Sequence, residues 1–302
     1  AGFEFIYMGG YDVSLTLLGL PDVGLITGQE MAANAGNIAR AVGIPVIADA
    51  DTGYGNAINV MRTVRDFENA GVAAIHIEDQ ISPKRCGHVA GKQVIPLEEA
   101  AGKIRAACDA RRDPDFVIIA RTDALAADLI TSDVDPRDAQ YATGERTSEG
   151  FYRVNPGMHA VVTRGLAFAE YADLIWVETG EPNIEVAREF ADAIHEKFPG
   201  KLLAYNCSPS FNWKKHLSDA EIATFQQKIS EMGYKFQFIT LAGFHTQNIA
   251  IFELAEKYKK EGMAAYSRIQ QQEFSREKDG YTSVKHQREV GTSYFDAVSN
   301  TI

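Results

Sequence analysis

Long apolar segments, cysteine and excess positive charge are all scarce in this chain of 302 residues. No hydrophobic run approaches the roughly 20 residues that a helix needs to cross a bilayer, so we expect no membrane span. No signal peptide is visible, and the start with alanine suggests a trimmed N-terminus. The formal net charge of −11 gives no electrostatic reason to bind nucleic acid or an anionic membrane. An anionic substrate would therefore need local cations or a metal.

Cysteine is limited to Cys86, Cys108 and Cys207. An odd number at wide spacing does not fit a disulfide framework or a zinc site. A reducing compartment is the simpler expectation, so we place the protein in the cytoplasm.

The apolar residues that are present, 45% of the chain, fall into short runs that predict buried parallel strands. These runs are 3–10, 44–51, 73–79, 116–122, 174–178, 202–208 and 236–242. Helical periodicity lies between most of them, at 56–70, 97–110, 158–171, 183–198 and 218–232. Alternating strands and helices at this spacing predict a parallel sheet with right-handed crossovers.

Seven strands are one too few for a (β/α)₈ barrel of the TIM type. We nevertheless expect that barrel over 1–248, with the first strand and its helix missing from the chain as given; an open doubly wound sheet is the alternative. The polar segment 131–155 is expected to be an insertion on the catalytic face. Residues 249–302 are expected to form two or three C-terminal helices and a lid, with a polar break near Gly280.

Polar side chains at the ends of the predicted strands favour the barrel, because barrel enzymes build their sites there. Asp49 and Asp51 share one side of a strand, and Glu78 ends the next strand. Three such carboxylates suit magnesium, which prefers oxygen ligands. The alternative is a network of capping and salt-bridging acids.

The loop after the third strand reads Lys84-Arg85-Cys86-Gly87-His88. Neighbouring cations lower the pKa of a thiol, so Cys86 is a candidate acid or base, or less readily a nucleophile. Gly87 would let the backbone approach a ligand.

Further strand ends carry groups that suit carboxylates. Arg121 offers a planar guanidinium to a substrate carboxylate or to a structural partner such as Glu178. A second carboxylate would meet neutral donors, which are also common helix caps: Asn206, Ser208, Ser210 and Thr240.

These residues together resemble the isocitrate lyase and phosphoenolpyruvate mutase superfamily, whose lyases carry the loop K-[KR]-C-G-H. Residues 116–296 resemble isocitrate lyases, in ARTDA at 120–124, TGERTSEGFYR at 143–153, YNCSPSFNWKKHLSD at 205–219 and GYTSVKHQREVGTSYFD at 280–296. The first third is more similar to 2-methylisocitrate lyases, in LGLPDVGL at 18–25 and IADADTGYGN at 47–56.

The resemblance implies a carbon–carbon lyase of the glyoxylate bypass that cleaves isocitrate to succinate and glyoxylate. It implies a homotetramer with C-terminal helices exchanged between neighbouring barrels, in the cytoplasm or, in a eukaryote, the glyoxysome. It also implies Mg²⁺, with Mn²⁺ as a substitute, held directly or through water by Asp22, Asp49, Asp51 and Glu78.

The resemblance implies roles for other residues as well. Cys86 would be the proton donor, and Tyr7 would lie near the substrate hydroxyl. The glyoxylate end would be held by Arg121 with backbone groups of Gly10 and Tyr11. The remaining substrate contacts would come from Lys84, Gly87, His88, Glu178, Asn206, Ser208, Ser210 and Thr240, with His88 counted also among the catalytic residues.

Two departures from the family pattern bear on the substrate. Gly9 stands where the family usually has serine, and Tyr11 stands where isocitrate lyases tend to have tryptophan. Cleavage of 2-methylisocitrate to pyruvate and succinate is therefore the alternative reaction. A catalytically dead barrel that serves as a binding protein is the alternative of another class, and the intact acids, Cys86 and His88 argue against it.

Overall fold

A computed structural model describes residues 2–84 and 91–302 of the chain. The predicted site residues Cys86, Gly87 and His88 lie outside the described residues. The chain divides into two compact units, one of residues Glu4–Leu241 and one formed by Ala242–Ile302 with the first residues of the chain.

The described strands and helices follow in chain order. The strands are β1 (Ile6–Met8), β2 (Val46–Asp49), β3 (Ala74–Glu78), β4 (Lys92–Val94), β5 (Val117–Thr122), β6 (Ala127–Ile130), β7 (Ala142–Arg146), β8 (Tyr152–Val154), β9 (Leu174–Val177), β10 (Leu202–Asn206) and β11 (Tyr234–Phe238). The helices are α1 (Gly10–Leu18), α2 (Gly28–Ala41), α3 (Ala57–Ala70), α4 (Leu97–Ala110), α5 (Pro136–Ala139), α6 (Met158–Ala169), α7 (Ile184–Lys197), α8 (Trp213–His216), α9 (Asp219–Glu231), α10 (Ala242–Glu261), α11 (Met263–Arg276), α12 (His286–Glu289) and α13 (Thr292–Ser299).

Seven of the described strands form one parallel sheet in the order β1-β2-β3-β5-β9-β10-β11. The first and last strands meet through their side chains. The rings of Phe5 and Phe236 lie 5.4 Å apart, and those of Tyr7 and Phe238 lie 4.4 Å apart. The sheet therefore curls into a nearly closed barrel, as predicted. Among the described residues, β1 pairs along one edge only, with β2.

The period of two along each strand separates two apolar layers. Ile47, Ile119 and Trp176 belong to a cluster inside the barrel. Their sequence neighbours, such as Ala48 and Ile118, belong to the larger cluster between the strands and the helices. The alternation places Asp49, Glu78, Arg121 and Glu178 in the inward register at the carboxyl ends of their strands.

Local sequence explains where the helices of the barrel begin. Asn56 and Asn59 form a reciprocal capping box at the start of α3, and Ser218 and Glu221 do the same for α9. Val60, Val64 and Phe67 of α3 are buried at a spacing of three to four residues. Such helices cover the outer face of the sheet.

Two expectations about element bounds were wrong. The run 3–10 ends as a strand at Met8, and α1 begins at Gly10. The last strand of the barrel occupies Tyr234–Phe238, so Thr240 lies beyond its end. The expected insertion 131–155 contains β7 and β8, which join β4 and β6 in a second sheet of order β4-β6-β8-β7.

The second unit is helical, and its helix α10 starts at Ala242, ahead of the expected boundary at residue 248. The expected polar break falls at Gly280, which follows a 3₁₀ turn at Glu277–Asp279. Large apolar side chains such as Ile251, Phe252 and Phe295 are more than 60% exposed in this unit. Among the described helices, none is long and apolar enough to span a membrane.

Candidate active site

The predicted metal residues converge on one buried lysine. The ammonium of Lys84 lies 2.7 Å from Asp22 Oδ2, 3.0 Å from Asp51 Oδ1 and 4.0 Å from Asp49 Oδ2. All four side chains are buried, as is Glu78 at the end of β3. The four acids Asp22, Asp49, Asp51 and Glu78 are called the acid cluster below, and Lys84 is the cation that lies among them.

The charges in this cluster are strongly perturbed. Burial alone would raise the pKa of Asp49, but His76 and Lys84 outweigh it and lower that pKa to about 2. Burial raises the pKa of Asp51 to about 7 and that of Glu78 well above its usual range. Burial would lower the pKa of Lys84, but the surrounding carboxylates raise it instead. Without a further cation, the cluster favours protonation of some of its acids.

Gly10 brings the start of α1 against the acid cluster. Its backbone N–H donates to Asp49 Oδ2 at 3.0 Å, and the N–H of Asp51 donates to Asp49 Oδ1 at 2.8 Å. A β-carbon on Gly10 would lie 2.9 Å from Asp49 Oδ2 and 3.3 Å from the Lys84 ammonium. Only glycine fits here without displacing the carboxylate. Gly9 precedes it as the N-cap and supplies no side-chain cap.

His76 joins Tyr7 to the acid cluster and was not predicted. Its Nε2 lies 2.8 Å from the Tyr7 hydroxyl and 3.3 Å from Asp49 Oδ1. Burial lowers the pKa of His76 to about 4, so the ring is neutral near neutral pH. Burial also raises the pKa of Tyr7 well above its usual value, so its hydroxyl keeps its proton there. The signal for His76 was its place two residues before Glu78, on the same side of β3.

Arg121 lies beside the acid cluster at the end of β5. Its Nη1 is 3.3 Å from Glu78 and 3.8 Å from Glu178, and its guanidinium lies 4.6 Å from the centre of the Trp176 ring. The edge formed by Nε and Nη2 is bound to Asp123, at 2.9 and 3.0 Å. A substrate carboxylate would therefore meet Nη1 and the outer N–H of Nη2.

The predicted neutral donors continue this chain of contacts around the barrel. Asn206 donates to Glu178 at 3.4 Å and accepts a bond from the Thr240 hydroxyl at 3.1 Å. Ser208 is fully buried, and its hydroxyl accepts the N–H of Ser210 at 3.1 Å. Asn206 and Thr240 thus extend the contacts from Arg121 and Glu178 around the barrel. Ser208 contributes to a turn, and the N-cap of the following helix α8 is Asn212, so Ser208 is not the helix cap that was the alternative.

Two further buried cations bind acidic side chains next to these residues. Lys92 on β4 donates to Asp123 at 2.7 Å. Arg164 on α6 donates to Asp79 at 3.0 Å and to Asp138 at 2.8 Å. No local pattern in the sequence marks Lys92 or Arg164 as partners of these acids.

The other described cysteines lack the environment of a reactive thiol. Cys207 is buried and Cys108 is half-buried, and both are reduced. Burial raises the pKa of Cys108 to about 11 and that of Cys207 to about 12. Both thiols are therefore protonated near neutral pH.

Comparison with known proteins decides the family. A sequence profile of the isocitrate lyase family matches residues 29–145 and 142–302. The chain belongs to the isocitrate lyase family. It is 57% identical to the isocitrate lyase of Halalkalibacterium halodurans over 85% of this chain and 61% of that protein. It is 49% identical to that of Salmonella typhimurium, over 100% of this chain and 77% of that protein.

Isocitrate lyase 1 of Mycobacterium tuberculosis is 46% identical, over 100% of this chain and 76% of that protein. The chain thus spans between about three fifths and three quarters of the length of these relatives.

Solved structures confirm the fold. Oxaloacetate acetylhydrolase superposes with a TM-score of 0.72 at 29% identity, over 99% of this chain and 85% of that one. A 2,3-dimethylmalate lyase gives 0.71 at 30% identity, over 99% and 84%. Phosphoenolpyruvate phosphomutase from Streptomyces platensis gives 0.73 at 27% identity, over 100% and 88%. Family membership implies a divalent metal and a small carboxylate substrate.

The acid cluster fits a hard divalent cation that keeps part of its water. Among residues 2–84 and 91–302, no three His, Cys, Asp or Glu side chains lie close enough to cage a metal. Magnesium does not need such a cage, because it takes one or two carboxylates and several waters. Asp22 Oδ1 and Glu78 Oε2 are buried and accept no hydrogen bond from the described residues. Asp22 Oδ1 is therefore open to a metal or its water, whereas Glu78 Oε2 would share its ion pair with Arg121 Nη1, 3.3 Å away.

Proposed function

We propose that the protein is a magnesium-dependent isocitrate lyase that cleaves isocitrate to succinate and glyoxylate. One observation carries the proposal in a chain of this family: the acid cluster and the carboxylate-binding group Arg121 lie side by side, with Glu78 and Arg121 3.3 Å apart. A hydroxy acid could therefore meet a metal and a guanidinium at once.

Asp22, Asp49, Asp51 and Glu78 would hold Mg²⁺ directly or through water, and Mn²⁺ would substitute. The bound cation would supply electrostatic stabilisation of the oxygens of the part that becomes glyoxylate. Lys84 would keep its charge beside these acids and limit their mutual repulsion.

The two ends of the substrate would meet different sides of the barrel. Arg121, with the backbone of Gly10 and Tyr11, would hold the glyoxylate end. The Gly10 N–H donates to Asp49 Oδ2, so a contact with substrate would share or replace that bond. A different set of polar groups would hold the succinate carboxylates: Asn206, Ser208, Ser210, Thr240 and His88, with Glu178 acting through its hydrogen bond with Asn206.

The reaction is a retro-aldol cleavage. Loss of the hydroxyl proton creates the carbonyl of glyoxylate as the carbon–carbon bond breaks. The electron pair of that bond passes into the succinate part as an aci-carboxylate, and Cys86 would return a proton to that carbon. Tyr7 would lie near the hydroxyl, where its neutral O–H, 2.8 Å from His76, can orient the oxygen.

We also propose a homotetramer in which the helices of 249–302 cover a neighbouring barrel. Its support is the exposure of large apolar side chains in these helices, such as Ile251 at 65% and Tyr258 at 47%, which a neighbouring subunit would cover. We place the reaction in the cytosol, since three widely spaced cysteines fit a reducing compartment better than a disulfide framework.

The proposal is tested by supplying isocitrate and 2-methylisocitrate side by side to the protein with Mg²⁺ and measuring glyoxylate, pyruvate and succinate. One methylene is worth about 10- to 200-fold in a pocket, so we expect kcat/KM for isocitrate to be higher by about tenfold or more. Faster release of pyruvate from 2-methylisocitrate would assign the alternative reaction. Gly9 is the feature that makes this comparison necessary.

A further inference from the structure

Arg121 is held in place by a carboxylate that has its own buried cation. Asp123 is 0% exposed, and both of its oxygens accept from Arg121, at 2.9 and 3.0 Å. Two parallel N–H···O bonds fix the plane of the guanidinium as well as its position. The direction of the remaining N–H groups of Arg121 is thereby set by Asp123.

Asp123 is fixed at its backbone as well as at its side chain. Its N–H donates to Asp79 Oδ1 at 2.9 Å, and Asp79 Oδ2 accepts from Thr122 at 2.7 Å and from Arg164 at 3.0 Å. The carboxylate of Asp123 cannot follow a movement of Arg121 without breaking these bonds.

Lys92 supplies the second cation. It comes from β4 of the second sheet, is 4% exposed, and its ammonium lies 2.7 Å from Asp123 Oδ1. That oxygen is the one that also accepts from Arg121 Nη2. Lys92 therefore restrains the same carboxylate oxygen that aligns the substrate-facing guanidinium nitrogen.

Charge counting gives Lys92 a second effect. Arg121 faces three carboxylates, those of Asp123, Glu78 and Glu178. One guanidinium among these acidic side chains leaves little net positive charge to attract an anion. The buried ammonium of Lys92 offsets one of these charges where screening by water is weak.

We propose that Lys92 is a positioning residue for substrate recognition, acting through Asp123 to align Arg121 toward one carboxylate of the substrate. The inference rests on the proposed function, in which Arg121 holds the glyoxylate end. It predicts a loss confined to glyoxylate, because the succinate end is held by other residues.

The test is the reverse condensation of glyoxylate with succinate, with KM measured for each substrate separately. Lys92→Met should raise KM for glyoxylate by roughly tenfold, within the range of coupling seen in one hydrogen-bonded network, and change KM for succinate little. Asp123→Asn should give the same selective rise, since an amide cannot accept at both oxygen positions. This second variant serves if Lys92→Met does not fold.

Lys103→Met is the matched control. Lys103 lies on α4 and is also 4% exposed, but its ammonium donates to the Thr52 carbonyl at 3.4 Å and not to Asp123. We expect that variant to lose stability without a selective change in KM for glyoxylate. Equal rises of both KM values in Lys92→Met, or an unchanged KM for glyoxylate, would overturn the positioning role alone. A wild-type protein that does not condense glyoxylate with succinate would instead refute the proposed function and this inference with it.

Discussion

Replacement of Gly10 by alanine tests the close approach of α1 to the acid cluster. The new β-carbon would lie 2.9 Å from Asp49 Oδ2, which is well inside ordinary van der Waals contact. Asp49 cannot retreat freely, because backbone N–H groups of Gly10 and Asp51 hold its two oxygens at 3.0 and 2.8 Å. Either the carboxylate or the start of α1 must therefore shift by a few tenths of an ångström.

Such overpacking costs about 1–3 kcal/mol. Misplacement of a catalytic group by about 1 Å can lower activity about 100-fold. We therefore expect Gly10→Ala to lower kcat/KM for isocitrate by about 10- to 100-fold and to weaken the apparent affinity for Mg²⁺. Initial rates over a magnesium titration, with a thermal melt for stability, measure both effects.

Gly102→Ala provides the matched control. Gly102 is exposed within α4, and a β-carbon there has no neighbour within 4 Å among the described residues. Alanine should stabilise that helix by up to about 1 kcal/mol and leave turnover unchanged. Activity of Gly10→Ala within about twofold of Gly102→Ala would refute the argument, because a displaced Asp49 is expected to cost far more.

Three further predictions follow from the proposed function. Rigorous chelation should abolish turnover, and Mg²⁺ or Mn²⁺ should restore it; full activity of the stripped protein would exclude the metal. Cys86→Ser should remove most turnover while magnesium and substrate binding persist in a calorimetric titration, whereas Cys108→Ser, whose thiol has its pKa raised to about 11, should keep most of it. Truncation after Gly280 should lower activity without unfolding the barrel, and the whole chain should have the mass of a tetramer. A monomeric mass together with a fully active truncation would refute both assembly and lid.

Strand periodicity explains why much of the site was predictable. Asp49 and Glu78 stand at the ends of continuous apolar runs, and such runs end at one edge of a parallel sheet. The same rule pointed to Arg121 and Asn206. Local pattern therefore predicts residues whose position depends on their own strand.

The last strand of the barrel shows where that rule weakens. Tyr234–Phe238 alternates large apolar residues with Lys235 and Gln237, so it is not a continuous apolar run. The expected strand started at Phe236, and Thr240 was consequently placed at a strand end instead of beyond it.

The second sheet and the buried cations were not predictable for a different reason. Most of β7 is exposed and polar, so it lacks the apolar pattern of a strand. Lys92 and Asp123 are 31 residues apart in sequence, and Arg164 and Asp79 are 85 apart. Such ion pairs form only in the tertiary fold, so the spacing of residues along the sequence does not predict them.

The most direct test of the account is glyoxylate production from isocitrate by the wild-type protein and by Asp49→Asn, with Asp109→Asn as a surface control. Asp109 is exposed and pairs only loosely with Arg105, at 3.7 Å. We expect wild type and Asp109→Asn each to release glyoxylate and succinate in equal amounts. Asp49→Asn should lose about 100-fold or more of the rate of glyoxylate production. A folded wild-type protein that releases neither product, or an Asp49→Asn variant with wild-type turnover, would contradict it.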